Sequence, residues 1–218
     1  MKSLNVTTIP VTPLQQNCSL LTVTGSSDAV LVDPGGDVSL IAQIVKKRNL
    51  NVAAIWLTHS HFDHCGGVAE ALALWPKAQF LAHPNEREFR ARAAEVALMW
   101  GLEGCSNCPE PTVTIQGGER LSIGAGAAGG AECAVLFVPG HSPGHVAFYF
   151  ERDKVLIAGD TVFNGSIGRT DLPFGNHDEL IASIKREILT LPDDVVVFPG
   201  HGPSTSVGVE RRSNPFLA

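Results

Sequence analysis

The stretch THSHFDHCGG places three histidines and an aspartate within six positions, at His59, His61, Asp63 and His64. Imidazole nitrogens and carboxylate oxygens are ligands that zinc, iron and manganese accept in proteins. The H-x-H spacing puts His59 and His61 on the same side of an extended segment. No requirement of folding explains so dense a group of titratable side chains, and the stretch therefore predicts a metal site.

Three further candidate ligands each come directly after an apolar run that is typical of a buried strand. VLFVPG leads to His141, VLIAG leads to Asp160 and VVFPG leads to His201, just as AIWLT leads to His59. Sites in α/β proteins gather in the loops at the strand ends, so residues far apart in the sequence can share one site. We therefore expect these side chains to meet the first cluster.

Seven candidate ligands exceed what one tetrahedral ion requires, because such an ion takes about four. The set fits two metal ions that share a bridging ligand. Asp160 is the natural bridge, since a carboxylate has two oxygens. Zinc is the expected metal, with iron and manganese as the alternatives.

The elements that must position these ligands alternate between apolar runs and helical patterns. The sequence predicts strands at residues 29–33, 52–58, 79–83, 134–138, 146–150, 154–159 and 195–198. It predicts helices at residues 39–48, 66–75, 85–100 and 176–189. No linker divides the chain, so we expect one α/β domain over residues 1–218.

Several local signals refine this prediction. Gly66 and Gly67 should open a helix and let the backbone approach the site closely, while Asn176 and Glu179 fit a capping box. The stretch 101–133 lacks periodicity, and its segment GAGAAGG predicts a flexible turn, not a nucleotide cradle. The similar motifs FVPGHSP and VFPGHGP are explained either by chance or by a pseudo-twofold domain with two similar halves.

The remaining histidines and cysteines have plainer interpretations. His83 and His177 are expected to be hydrogen-bonded loop residues, and His145 either supports the site from behind or belongs to a turn. The five cysteines are odd in number and scattered, which argues against a disulfide framework. Cys105 and Cys108 form a lone C-x-x-C pair without a second half, and we expect two ordinary thiols in a loop.

Charge and hydropathy exclude several functional classes. The formal net charge of −6 disfavours nucleic-acid binding through phosphate contacts. No apolar run approaches the roughly 18 residues of a membrane span, and MKSLNVTTIPVTP lacks the apolar core of a signal peptide. The cytoplasm is the expected compartment, and a small molecule is the expected partner.

The complete order of the ligands, H-x-H-x-D-H, then His, Gly-Asp and Gly-His, resembles the metallo-β-lactamase fold over nearly the whole chain. LVDPGGD, FNGSIGRTDLP and PGHGPSTSVGVERRSNPF are similar to segments of small bacterial glyoxalase II-type proteins. The resemblance implies a four-layer αβ/βα sandwich with a dinuclear site at one edge. It assigns the first metal to His59, His61 and His141. It assigns the second metal to Asp63, His64 and His201, with Asp160 bridging, and makes Asp63 and Asp160 the catalytic carboxylates.

The activity that the resemblance implies is hydrolysis of S-lactoylglutathione to D-lactate and glutathione, a step of methylglyoxal detoxification. Paired ions lower the pKa of a bound water and polarise a carbonyl, which suits a thioester. Full-length glyoxalase II enzymes carry a C-terminal helical domain for glutathione, and we expect this protein to resemble the small members that lack it. Arg169 is then the candidate for a substrate carboxylate, unless it only pairs with Asp171 within its loop.

Two other functions stay open beside this one. Persulfide dioxygenases are iron proteins that share the fold and the GRTD loop, and they use only the first three ligands plus an aspartate. A protein that binds metal without catalysis is the remoter alternative. The residues of the second metal favour hydrolysis, the Gly-Asp bridge disfavours a β-lactamase, and the acidic charge disfavours a nuclease.

Overall fold

The first half of the chain forms one six-stranded sheet in a computed structural model that describes residues 3–124 and 130–217. Its strands are β1 (Leu4–Val11), β2 (Gln16–Val23), β3 (Asp28–Val32), β4 (Asn51–Trp56), β5 (Gln79–Ala82) and β6 (Val113–Thr114). They lie in sequence order, antiparallel from β1 to β3 and parallel from β3 to β6.

The second half forms another six-stranded sheet. Its strands are β7 (Arg120–Ile123), β8 (Ala131–Phe137), β9 (Val146–Phe150), β10 (Val155–Gly159), β13 (Val196–Pro199) and β14 (Thr205–Ser206). A separate hairpin between them consists of β11 (Val162–Phe163) and β12 (Ser166–Ile167). The sheet order is β14-β13-β10-β9-β8-β7, with β10 and β13 parallel and the other pairs antiparallel.

Helices follow the strands on the outer faces of both sheets. They are α1 (Val38–Lys47), α2 (Phe62–Cys65), α3 (Val68–Leu74), α4 (Arg87–Met99), α5 (His177–Ser183) and α6 (Val207–Ser213). The predicted cap of α5 is present, since Asn176 Oδ1 accepts a hydrogen bond from the Glu179 amide. The reciprocal half of the capping box is not formed, because the Asn176 amide donates to the Gly140 carbonyl instead.

Three apolar clusters hold these layers together. The central one joins the inner faces of the two sheets, where the rings of Trp56 and Phe148 lie 5.0 Å apart. A second cluster joins the first sheet to α1, α3 and α4, and a third joins the second sheet to α5 and α6. The architecture is therefore helix, sheet, sheet, helix, which confirms the four-layer αβ/βα sandwich.

The structure corrects three local predictions. A helical turn already begins at Phe62 and the next helix at Val68, whereas the sequence predicted one helix from Gly66. The irregular stretch 101–133 contributes β6, β7 and the start of β8. The flexible turn predicted for GAGAAGG, at 124–130, falls mostly on residues 125–129, which lie outside the described residues. Both Pro-Gly-His motifs follow strands of the second sheet, so they do not represent the two halves of the domain.

In the described parts of the chain, no helix combines the length and the apolar character that crossing a membrane requires.

Candidate metal centre

The structure brings all seven predicted ligands to one edge of the sandwich. His59 and His61 follow β4, and Asp63 and His64 lie in α2. The other three lie after strands of the second sheet: His141, Asp160 and His201. Two sequence-distant sets of loops therefore face each other across the ends of the two sheets, as the strand-end argument predicted.

Three histidines form the first group of the site. One ring nitrogen from each of His59, His61 and His141 lies within 4.8 Å of the other two. The Nε2 atoms of His59 and His141 are 3.3 Å apart. All three side chains are buried, so the group resembles a preformed pocket for a cation with nitrogen ligands.

The second group combines a carboxylate with two histidines. Ligand atoms of Asp63, His64 and His201 also lie within 4.8 Å of one another. His201 Nε2 is 3.1 Å from Asp63 Oδ2, and His64 Nε2 is 3.8 Å from the same oxygen. His64 is fully buried, whereas His201 is partly exposed at the edge of the cavity.

Asp160 lies between the two groups. Its Oδ2 is 3.7 Å from Nε2 of His141 in the first group and 3.7 Å from Nε2 of His201 in the second. Its Oδ1 is 3.4 Å from His64 Nε2. A carboxylate in this position can contact ions on both sides, which is the arrangement expected of the predicted bridge.

The electrostatics of the first group favour neutral imidazoles. Burial is the largest cause and lowers the pKa of His61 to about 3, with His141 adding to the effect. Burial also lowers the pKa of His59 well below its usual value, as do the surrounding histidines. The pKa of His141 is lowered by burial, although Asp160 opposes this. Neutral imidazole is the form that binds a metal ion.

The second group behaves in the opposite way. Burial alone would lower the pKa of His64, but Asp160 and Asp63 outweigh it and raise that pKa well above the usual value. The pKa of His201 is raised as well, because its hydrogen bond to Asp63 and the charge of Asp160 exceed the effect of burial. Burial would raise the pKa values of Asp63 and Asp160, yet the histidines lower both.

The donor atoms fit metal ions. Among the described residues, His61 Nε2, His64 Nε2 and Asp160 Oδ1 are buried without any hydrogen-bond partner, which is rare in folded proteins. The opposite ring nitrogens of His141 and His64 are held from behind, since His141 Nδ1 donates to the Arg169 carbonyl at 2.7 Å and His64 Nδ1 lies 3.0 Å from Asp33 Oδ2. Lone pairs of Nε2 therefore point into the centre, as metal ligands require.

Asp33 is a supporting residue that the sequence analysis missed. Its Oδ2 accepts hydrogen bonds from Thr58 Oγ1 at 2.6 Å and from His64 Nδ1 at 3.0 Å. Thr58 Oγ1 in turn lies 3.0 Å from His59 Nδ1. Asp33 thus orients one histidine of each group. Its only sequence signal was its place in LVDPGGD, which the resemblance highlighted without giving the aspartate a role.

Glu86 is the second residue that sequence reasoning missed. Its buried carboxylate accepts hydrogen bonds from the Ser60 amide at 2.9 Å and from the Gly144 amide at 2.6 Å. Ser60 stands between two ligands, and Gly144 lies three residues after His141. Glu86 therefore ties together the two loops that carry the first group. A single glutamate beside a helix gives no sequence signal for this.

The three remaining described histidines each have a position that indicates their role. His145 Nε2 accepts a hydrogen bond from the Asp160 amide at 3.0 Å, and its ring stacks on His59 at 4.7 Å. His145 therefore supports the site from behind. His83 accepts from the Asn85 amide, as expected of a loop residue, and His177 begins α5 in an exposed position.

A different glycine from the predicted pair approaches the site. A Cβ at Gly67 would meet the Pro34 carbonyl at 2.5 Å, so this glycine packs α3 against the loop after β3. At Gly200, however, a Cβ would lie 2.1 Å from Asp160 Oδ1. Only glycine fits there, because any side chain would displace the carboxylate between the two groups.

All five cysteines are free thiols. Cys105 and Cys108 lie in the loop beside α2, and burial raises the pKa of Cys105 to about 11. Cys65 follows His64 directly, and its pKa is raised by interaction with Cys108 and by burial. Cys65 and Cys105 are therefore protonated thiols at neutral pH.

A cavity of about 420 Å³ opens onto the metal centre. Arg169 lies at its wall, where the guanidinium forms two hydrogen bonds of 2.7 Å with Asp171 and stands 5.8 Å from the ring centre of Trp100. The internal pair proposed from the sequence is therefore formed, and the arginine also faces the cavity. Its role in binding a substrate stays a prediction.

Comparison with known proteins gives a consistent result. Residues 11–201 match the metallo-beta-lactamase superfamily. The hydroxyacylglutathione hydrolase GloC of Haemophilus influenzae is 36% identical over 214 residues, which make up 98% of this chain and 98% of that protein.

Two solved structures are similarly close. The BLEG-1 B3 metallo-β-lactamase has a TM-score of 0.89 and 36% identity, covering 98% of this chain and 99% of that one. TTHA1623, solved in a di-iron-bound form, has a TM-score of 0.87 and 38% identity, covering 97% of this chain and 100% of that one. With its layered fold and its histidine and aspartate cluster, the chain therefore belongs to the metallo-β-lactamase superfamily, as a single-domain hydrolase.

Proposed function

We propose that the protein is a metal-dependent thioester hydrolase of the glyoxalase II type, acting on S-lactoylglutathione or related acyl-glutathione thioesters. The observation that carries this proposal is the pair of ligand groups on either side of Asp160. The likeness to GloC over the full length of both chains supports the substrate class.

Two divalent ions would be held by the two groups. His59, His61 and His141 would hold one, Asp63, His64 and His201 would hold the other, and Asp160 would contact both. When bound, such ions supply a lowered pKa for water and a positive charge for a polarised carbonyl oxygen. Zinc is the first candidate, and iron is supported by the di-iron form of the similar TTHA1623.

The protein's own residues prepare the reaction in three ways. Thr58 and the Arg169 carbonyl orient His59 and His141, so their Nε2 lone pairs face the centre. Asp63 is ionised at neutral pH, because the histidines lower its pKa, and its Oδ2 accepts a hydrogen bond from His201 Nε2 at 3.1 Å. The walls of the cavity are mostly apolar, so a bound substrate that covers them would lower the local dielectric and strengthen these interactions.

The overall reaction is a simple hydrolysis. Water adds to the thioester carbonyl, the carbon–sulfur bond breaks, and the sulfur leaves with the electron pair of that bond. One proton from the water ends on the thiol, the other is released to solvent, and the acyl group leaves as a carboxylate. Arg169 lines the cavity and is the candidate to bind a carboxylate of the substrate.

A thiol-release assay tests the proposal. Purified protein, stripped of metal and reloaded with zinc or iron, should hydrolyse S-lactoylglutathione and bind about two ions per chain by elemental analysis. The fully loaded protein should lose activity on chelation. Failure to release any thiol from acyl-glutathiones would refute the proposal. One iron per chain, together with oxygen consumption in the presence of glutathione persulfide, would identify a persulfide dioxygenase instead.

Hydrolysis of a β-lactam is the second candidate, because the similar BLEG-1 is described as a B3 metallo-β-lactamase. Both substrates present a carbonyl carbon to attack by water, so the same centre could act on either. Turnover of a chromogenic cephalosporin, measured on the same metal-loaded preparation, separates the two candidates. We expect the thioester to give the higher kcat/KM.

The cytoplasm is the proposed compartment, since five free thiols suit a reducing environment.

A further inference from the structure

Helix α4 carries an apolar stripe that does not face the core. Ala93 and Ala97 are buried in the first sheet's cluster or beside it, as an amphipathic helix requires. Phe89, Val96 and the C-cap residue Trp100 follow the spacing of the adjoining helical face and line the cavity, to which Ala93 also contributes. Trp100 remains 52% exposed, which is unusual for so large an apolar side chain.

The opposite wall of the cavity is apolar as well. Phe163 and Ile167 come from the β11–β12 hairpin, and Leu172 from the loop that follows. The walls begin at the metal centre itself, because the ring of Phe89 lies 4.9 Å from the ring of His61. A molecule whose reacting carbonyl lies at the centre must therefore extend along apolar surface.

The cavity offers little positive charge. Among the described residues that line it, Arg169 is the single lysine or arginine. That guanidinium is already paired with Asp171 through two hydrogen bonds, and it lies 5.8 Å from the ring centre of Trp100. Glutathione carries two carboxylates, and a single arginine that is already paired cannot match both. Most of the binding energy that this surface can supply must therefore come from apolar contact.

We propose that the cavity selects thioesters by an apolar acyl chain longer than the lactoyl group. This inference rests on the proposed function and names the substrate class of the same site. The lactoyl group has only three carbons and a hydroxyl, whereas the wall from Phe89 to Trp100 follows the length of α4 away from the metal centre. An unbranched acyl chain directed along α4 covers that wall. The hydrolysis that follows is the same step, with the acyl chain leaving as a fatty carboxylate.

Two series of compounds test the inference. Butanoyl-, hexanoyl- and octanoyl-glutathione are compared with S-lactoylglutathione in the metal-loaded enzyme, and kcat/KM should rise about two- to fourfold for each methylene that is buried. The matching S-alkylglutathiones cannot be hydrolysed. Their dissociation constants, measured by titration calorimetry, should fall by a similar factor per methylene.

Variants on α4 locate the effect. Trp100→Ala and Val96→Ala should each flatten the dependence on chain length in both series. Leu98→Ala is the matched control, because Leu98 lies on the same helix, is 63% exposed and does not line the cavity. It should retain the full dependence.

The outcomes separate this inference from the proposed function. Hydrolysis of S-lactoylglutathione without any gain for longer chains would overturn the inference and leave the proposed function standing. Absence of thioester hydrolysis would overturn the proposed function, and the S-alkyl series would still decide the inference. Equal dissociation constants along that series, or an equal effect of Leu98→Ala, would refute it.

Discussion

The two ligand groups lie side by side but differ in the protonation that the fold imposes. In the first group, burial and mutual repulsion lower the pKa of every histidine, with that of His61 at about 3. In the second group, the carboxylates raise the pKa of His64 and His201. The first group is therefore neutral and unpaired at pH 7, whereas the second forms an internally compensated cluster of charges.

This difference means that a metal ion competes with protons at the second group but not at the first. A metal ion entering the first group displaces no proton, so burial there prepares the site for a cation. An ion entering the second group must displace protons that the carboxylates hold in place. We therefore expect the first group to bind its ion more tightly, and the second to be the one that is lost first.

The largest effect should come from the residue that the two groups share. Asp160→Ala removes the carboxylate that approaches His141, His64 and His201. We expect thioester hydrolysis to fall by more than about 10³-fold, because charge stabilisation at both positions is lost. Elemental analysis should show fewer than two ions per chain. Activity close to that of the wild type in a fully metal-loaded variant would remove Asp160 from the bridge.

Removing one histidine from each group tests the comparison directly. His141→Ala and His201→Ala should each reduce kcat/KM by more than about 10²-fold. This exceeds the loss typical for residues that only hydrogen-bond to a metal ligand. Under limiting metal, His201→Ala should still retain about one ion, whereas His141→Ala should bind its remaining ion more weakly. Equal affinities for the remaining ion would contradict the difference between the groups.

Acidification should separate the groups without any mutation. Raised pKa values mean that His64 and His201 take up protons already above the ordinary histidine value of about 6.5. Lowered pKa values mean that His59, His61 and His141 stay neutral well below it. As the pH falls, the second ion should therefore leave first, with affinity falling about tenfold per pH unit for each proton in competition.

Metal content measured after equilibrium dialysis across that range checks the expectation. A plateau near one ion per chain on the acidic side, with activity already lost, agrees with it. Simultaneous release of both ions would show that the groups titrate as one unit.

The smallest effect concerns the support of the first group. Glu86→Gln keeps the size of the side chain but turns an amide NH₂ towards one of two backbone N–H groups. We expect a loss of about 1–3 kcal/mol in the free energy of unfolding, the usual cost of an unpaired buried donor. Activity should fall by roughly tenfold, as it does for other residues that support metal ligands without binding the ion themselves.

Glu88→Gln is the matched control, since Glu88 is exposed on the next helix and touches neither ligand loop. Denaturant unfolding and metal affinity of the first group are the measurements. An effect of Glu86→Gln on the second ion alone would show that the carboxylate does not position the first group.

Much of the fold was predictable where apolar runs were long. The strands predicted at 29–33, 52–58 and 146–150 agree with β3, β4 and β9 to within two residues. Strands β1 and β2 were not predicted, because LNVTTIPV and QNCSLLTV mix polar and apolar residues, although β2 lies almost entirely buried between β1 and β3. The turn of α2 was also missed, since four residues are too few for a helical period.

The amino-acid sequence was enough to predict seven candidate ligands and their order after the strands, because strand ends meet at the edges of sheets. The family resemblance added the layered sandwich and the division of the ligands into two groups. The distances between the ligands, the direction of each pKa shift and the positions of Asp33, Glu86 and the apolar wall on α4 came from the tertiary structure. The physical reason is that a pKa depends on burial and on charges at a few ångströms. His201 and Asp63 come within 3.1 Å although 138 positions separate them in the chain.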